Sequence, residues 1–452
     1  MTPESAPTAA PELPVFDLST PAGKAGLDER LRKLRATASA SSEAAQAVAR
    51  IVADVREQGD EALVRYMRQW TDPDFTHDRI RVTQAELDQA HATLDPALRE
   101  AIATAIEQVR AYQQHILPRP VKPIRLGGAE LGLRFIPVDS AGLCVPGGTA
   151  VLFSTLIMLA VPAQVAGVDP KHISVVHPPP TRRAGEPARD ISPIVLAACR
   201  MLDISNVYRL GGAQAVAALA YGTQSVEPVD LIAGPGNIYV QLAKAQVNGV
   251  TGTDNGFYGP SEIVTIADES AHPARVASDL IAQAEHDPGK CFLIAWSGDV
   301  IQRINEQVQQ QIKHRRRIEA IAASLVNESA AILVKDQDQA VEIANTLACE
   351  HLNLAVADPD AWLLRIRHAG EVFLGDTTPV AAGDYYAGPS HCLPTGTTAR
   401  FASGVSAYTF LKRMGTVAYR GPMPEQAVEH IARMAEAEGL DGHAQSVRFR
   451  RG

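Results

Sequence analysis

Glu350 and His351 stand side by side in the stretch Leu347-Ala-Cys-Glu-His-Leu-Asn-Leu354. A carboxylate next to an imidazole can share proton transfer when both face a cleft, and the ends of secondary-structure elements aim side chains into clefts. The pair has that placement. Upstream, Ala340 to Leu347 carries apolar residues at helical spacing; downstream, Asn353-Leu-Ala-Val-Ala357 reads as a short buried strand. On spacing alone the same residues also fit a solvated Glu–His pair at a helix end.

A second group lies on the predicted helix from His272 to His286. Asp279, Gln283 and His286 are spaced so that they stack along one side of it. Such a face could donate two metal ligands, although glutamine is a rare one. Glycine-rich turns form the third group: Gly142-Leu-Cys-Val-Pro-Gly-Gly-Thr149, the stretch opening at Gly211-Gly-Ala-Gln214, and Gly234-Pro-Gly-Asn237. Glycine there lets a phosphate approach the backbone and meet helix N-terminal amides. None is a G-x-G-x-x-G, so ordinary tight turns fit as well.

The elements that must position these residues alternate. Helical patterns run from about Asp28 to Ile116, notably Glu43 to Gln58 and Pro96 to Gln114. Strands are predicted at Leu131–Val138, Ile173–His177, Asn206–Leu210 and Asp230–Ala233, the last two running into glycine turns and helices. A further set follows at Ile263–Asp268, Cys291–Trp296, Ala331–Val334 and Val372–Leu374. This alternation predicts an α/β fold with mostly parallel sheet, whose ligands bind at the carboxyl ends of strands. The Pro178–Pro187 loop reads as a surface insertion, and Arg182–Arg189 as an insertion without an assigned role. Lys313-His-Arg-Arg-Arg317 is expected on the solvated face of a polar helix. The residues from about Thr416 onward predict a helix and tail too small for a core, which must dock on the body or on a second subunit.

At 452 residues the chain exceeds one core, so two or three domains are expected. A net charge of −9 argues against nucleic acid or an anionic membrane as partner. Five cysteines at irregular spacing, with no C-x-x-C, fit a reducing compartment and no disulfide framework. Met1 to Pro21 reads as a loose arm and not a signal peptide. The apolar run Ala150 to Val168 is broken by Ser154, Thr155, Pro162 and Gln164, which suits a buried helix better than a membrane span. A cytoplasmic protein is expected.

Several blocks taken together resemble the histidinol dehydrogenase family. They are Val145-Pro-Gly-Gly148, Gly211-Gly-Ala-Gln-Ala-Val-Ala-Ala-Leu-Ala-Tyr-Gly-Thr223, Gly234-Pro-Gly-Asn237, Gly259-Pro-Ser-Glu262, Gln283-Ala-Glu-His286, Glu350-His-Leu352, Gly383-Asp-Tyr385 and Ala437-Glu-Gly-Leu-Asp-Gly-His443. Each is weak alone; the ordered set, spanning roughly residues 28 to 450, is specific. The resemblance implies an α/β fold of two incomplete Rossmann-like domains with aldehyde-dehydrogenase-like topology, in an intertwined homodimer. Residues 1–40 would form a helical arm, 41–143 with 263–402 a discontinuous domain carrying the zinc and catalytic residues, and 144–262 the NAD-associated domain. Residues 403–452 would be a tail docking on the partner.

The implied activity is the NAD-linked four-electron oxidation of L-histidinol to L-histidine through a bound aldehyde, the last step of histidine biosynthesis. One zinc ion per subunit would be held by Gln283, His286, Asp384 and the partner subunit's His443. Substrate contacts would be Ser261, His351 and Glu438 together with those ligand positions, and cofactor contacts Gln214, Asn237 and position 144. His351 would take the alcohol proton and Glu350 would activate water for attack on the aldehyde. Three departures are local: Cys144 stands where the family commonly has Tyr, Cys349 where Pro usually precedes the pair, and Phe257-Tyr258 in place of Pro-Ala. Cys349 could trap an aldehyde or simply point into the core. Two other readings stay open: a zinc and NAD dehydrogenase of another amino alcohol or polyol, and a catalytically dead relative.

Overall fold

The computed structural model describes residues 11–37, 42–147, 151–187, 189–254, 256–286 and 289–451. The first ten residues of the arm, Gly148 of the Val145–Gly148 block and Ala188 of the insertion lie outside them. In chain order the strands are β1 (Val15–Asp17), β2 (Ile124–Leu126), β3 (Ala129–Pro137), β4 (Ala141–Cys144), β5 (Ile173–Val176), β6 (Asn206–Tyr208) and β7 (Leu231–Ala233). They continue with β8 (Gly252–Thr253), β9 (Glu262–Ala267), β10 (Lys290–Ala295), β11 (Ala330–Leu333), β12 (His351–Ala355), β13 (Glu371–Leu374) and β14 (Leu411–Ala418).

Two parallel sheets carry the architecture. One has five strands in the order β6-β5-β4-β7-β8, the other six in the order β1-β11-β10-β9-β12-β13. Every neighbouring pair in both is parallel. A separate antiparallel sheet, β14-β3-β2, stands apart from them. Parallel strands need helices on both faces, so they read as unbroken apolar runs. Every residue of β9, β10 and β12 is buried accordingly. Each sheet has a hydrophobic cluster on either face. The predicted apolar helix spans Phe153–Ala166, buried nearly all round against the five-stranded sheet, and stops at left-handed Gly167 (φ 113°). Among the described residues no helix is long and apolar enough to cross a membrane.

The helices Ser42–Gln58 and Asp60–Trp70 pack on the five-stranded side, with Val48, Ile51 and Val55 against the small residues Ala213 to Ala220. The small side chains of the helix Gly212–Tyr221 let these helices approach it closely. Two expectations need correcting. Of the Met1–Pro21 arm, residues 11–21 are not loose: β1 pairs with β11, and the helix Pro21–Thr37 that follows sends Leu27, Leu31 and Leu34 into the core beside the six-stranded sheet. Lys313–Arg317 is not inside a helix. The polar helix ends at Gln311, a 3-10 turn buries Ile312, and the next helix begins at Ile318.

The insertion is tied down by charge. Arg182 is buried, pairs with Asp72 at 2.6 Å and also with Asp74, and its backbone N–H reaches Thr71 O at 2.9 Å. The tail opens with a strand, since Thr416 lies in β14 paired with β3. Its helices Glu425–Ala437 and Asp441–Arg448 pack on each other through Ala432, Ala435 and Ala444, leaving Met434, Leu440 and Phe449 exposed.

Candidate functional site

The helix Gln337–Leu347 is ended by Ala348 in the left-handed region (φ 45°), and the turn leads through Cys349 and Glu350 to the start of β12. Glu350 is 5% exposed and His351 3%, so the solvated helix-end reading fails. Both are held by the main chain of Glu262 at the start of β9. Glu350 Oε2 accepts the Glu262 N–H at 2.8 Å, and His351 Nδ1 lies 3.2 Å from the Glu262 carbonyl oxygen. The two side chains approach each other at 3.5 Å, and the Ser261 hydroxyl also meets the Glu350 carboxyl. His351 Nε2 is buried with no hydrogen-bond partner. Burial pushes the imidazole down to about 4, so it stays neutral near pH 7, while burial and the neighbouring carboxylates of Glu262 and Asp384 hold Glu350 well above the usual range.

The pair sits at the amino ends of β9, β12 and β13, not at the carboxyl ends that the general rule for such sheets predicts. Around it the fold gathers residues from distant segments. Asp384, on the short helix Val380–Tyr385, acts electrostatically on His351, His286, Glu350 and Glu371. Gln283 ends the helix Pro273–Ala284, 3% exposed, with its amide nitrogen unpartnered; His286 follows just beyond the helix, exposed. Asp279, on the same helix, turns instead to the backbone N–H of Val380. Beside Asp384 a cavity of about 480 Å³ opens between Leu98, Ile102, Phe153, Ile157 and Tyr385.

Two residues escaped the sequence reading. His391 has a buried, unpartnered Nε2 and feels the Asp384 carboxylate, and Glu371 pairs in register with His351 and has an unpartnered oxygen. Burial raises Glu371 to about 7. Both lie beside quoted motifs, but only their partners from other segments mark them. Glu438 and His443 are not brought to the site: both are exposed on the tail helices. Among the described residues no group of three or more His, Cys, Asp or Glu is close enough to hold a metal. The chemistry of the donors still suits zinc, since Gln283, His286 and Asp384 offer an amide oxygen, an imidazole and a carboxylate.

The glycine turns lie at the carboxyl ends of the five-stranded sheet. Its order reverses between β4 and β7, the switch point where ligands of such sheets bind. Cys144 ends β4, and Gly234 (φ 117°) follows β7 so closely that a Cβ there would sit 2.4 Å from Cys144 O. Only glycine fits. Asn237 caps the helix Ile238–Val247, its side-chain oxygen accepting from Tyr239 N at 3.1 Å and Val240 N at 3.2 Å. Gln214, in the first turn of the helix Gly212–Tyr221, is buried with its oxygen unpartnered. The Cys144 side chain packs into the core. Cys349 does too: its thiol, 2% exposed, donates to His351 O at 3.1 Å, and burial lifts it far above the thiol range. An inert core thiol is the result.

Residues 34–451 match the family described as histidinol dehydrogenase. The chain is 42% identical over 405 residues to the histidinol dehydrogenase of Rhodopirellula baltica, covering 90% of this chain and 86% of that one. It is likewise 42% identical over 404 residues to that of a Synechococcus species, covering 89% and 91%. The crystal structure of histidinol dehydrogenase from Elizabethkingia anophelis superposes with a TM-score of 0.86 at 30% identity, covering 98% of this chain and 99% of that one.

Proposed function

The chain belongs to the histidinol dehydrogenase family, and on that footing we propose that it oxidises L-histidinol to L-histidine in two NAD-linked steps with one zinc ion per subunit. Gln283, His286 and Asp384 would hold the metal, completed by the partner subunit's His443 in a cytoplasmic homodimer. Glu438 would reach the substrate from the same tail. The two sheets would form the two Rossmann-like units, with Gln214, Asn237 and the end of β4 at Cys144 facing the dinucleotide. When bound, zinc supplies a Lewis-acidic anchor for the substrate's imidazole and amine, and NAD supplies the hydride acceptor.

The protein's own groups do the proton work. His351 presents Nε2 to the alcohol and takes its proton in the first oxidation. Glu350, next to Ser261, takes a proton from the water that attacks the aldehyde in the second. A carboxylate raised by burial is the stronger base once ionised. The observation that carries this reading is the buried, unpartnered Nε2 of His351 beside Asp384.

The test is stoichiometric. Purified protein with zinc, NAD and L-histidinol should release two NADH per histidine formed. Absence of NADH sinks the proposal, and faster turnover of another amino alcohol or polyol would reassign the substrate.

A further inference from the structure

Beneath the switch point of the five-stranded sheet lies a buried ion pair that the catalytic reading leaves unused. Lys244, on the helix Ile238–Val247, and Asp254, just after β8, have side chains only 3% and 0% exposed. Ionised groups rarely go so deep unless paired and fully hydrogen-bonded. Here both are. Besides bonding each other, Lys244 Nζ donates to Gly234 O at 2.9 Å and Asp254 Oδ2 accepts from Gly234 N at 2.7 Å. Both backbone polar groups of one glycine are thus held by one pair of charges.

That glycine is the first residue after β7, in a conformation that side-chain-bearing residues rarely adopt, and it abuts the end of β4. The turn it opens ends at Asn237. The Lys244 ammonium also lies 5.1 Å from the Tyr258 ring centroid, and Tyr258 O accepts Gly236 N–H at 3.3 Å. One buried pair therefore fixes the turn between β7 and its helix and braces it against the segment leading to Ser261.

We propose that Lys244 and Asp254 are positioning residues for the dinucleotide: the pair clamps both sides of Gly234 and so presets the Gly234–Asn237 turn that receives it. This rests on the NAD-linked reading above. Neither residue touches the cofactor. The pair acts through the backbone, and a turn held in its bound geometry loses less freedom on binding.

Two neutral double variants test the clamp without stranding a buried charge. Lys244→Met with Asp254→Leu removes both tethers; replacing a buried pair by apolar groups commonly leaves a fold intact. Lys244→Met with Asp254→Asn keeps an oxygen for the Gly234 N–H and loses only the carbonyl tether. NAD binding is measured by titration calorimetry, L-histidinol binding is measured separately without NAD, and folding is checked by circular dichroism. The first variant should bind NAD on the order of tenfold more weakly and the second by an intermediate factor, with histidinol affinity within about twofold of wild type. If the leucine variant does not fold, the asparagine variant decides alone. Unchanged NAD affinity in the folded variants, or an equal loss of histidinol binding, overturns the clamp. A folded wild-type protein that binds no NAD overturns the dehydrogenase reading and the clamp with it.

Discussion

The carbonyl oxygen of Glu262 lies 3.2 Å from Nδ1 of His351. A carbonyl can only accept, so Nδ1 carries the proton and Nε2 keeps its lone pair. A main-chain atom thus decides which nitrogen of His351 is free to accept, and the tautomer follows from strand pairing.

Replacing His351 by asparagine should therefore lower turnover by about 10²–10⁴ while zinc content and fold are kept. Steady-state rates with metal analysis check it. Unchanged turnover would remove His351 from the mechanism.

Glu350→Gln keeps an oxygen for the Glu262 N–H but cannot accept a proton from water. The second oxidation should fall by about 10²–10⁴ and the first by much less. Supplying the aldehyde directly isolates that step; normal oxidation of it would take the water-activating role from Glu350.

Cys349→Ala should leave kcat and KM within about twofold, because the thiol is buried, un-ionised and bonded to a backbone carbonyl. Its cost should appear in stability instead, at about 1 kcal/mol. A large loss of aldehyde oxidation would revive a covalent intermediate.

Burial lowers the titration of His177 and His351 below the ordinary 6.5, His351 to about 4. Just below 6.5 the unfolded chain binds the protons that the folded protein refuses. The stabilisation these residues give is thus complete above about pH 6.5 and fades as pH falls below it, for His351 down to about 4, each contributing a slope of at most about 1.4 kcal/mol per pH unit. Because the raised carboxylates of Glu262, Glu350 and Glu371 act with the opposite sign over the same range, the check is the difference between wild type and His177→Gln in urea unfolding of metal-free protein from pH 7 to 5. His177→Gln should flatten the slope by up to one proton, and an identical slope would contradict it.

Much of the frame was legible in the sequence, and the reasons are local. The Ile173 and Asp230 strands ended within a residue or so of their predicted limits, since unbroken apolar runs bounded by glycine or proline have few alternatives. The helix-then-strand setting of Glu350 and His351 was legible for the same reason. Their burial was not, because Glu262, which holds both, lies far away in sequence. Arg182 read as part of a surface insertion, and only its partners Asp72 and Asp74, distant in sequence, show that it is buried. Lys313–Arg317 misled in the other direction: its polarity suited a helix face, while buried Ile312 bends the chain there and the Arg317 guanidinium reaches Glu285 O at 2.6 Å. Glu438 and His443 could be assigned only through resemblance, since a single folded chain leaves them in solvent.

Ala348 is one of three non-glycine residues with positive φ among those described, and it sits two positions before Glu350. An alanine kept there is about 1–2 kcal/mol above its relaxed backbone. The turn thus behaves as a wound spring, and what keeps it wound is the grip of β9 and β13 on β12. Fraying at this sheet edge would let the spring unwind, and Glu350 and His351 would be among the first residues to lose their place.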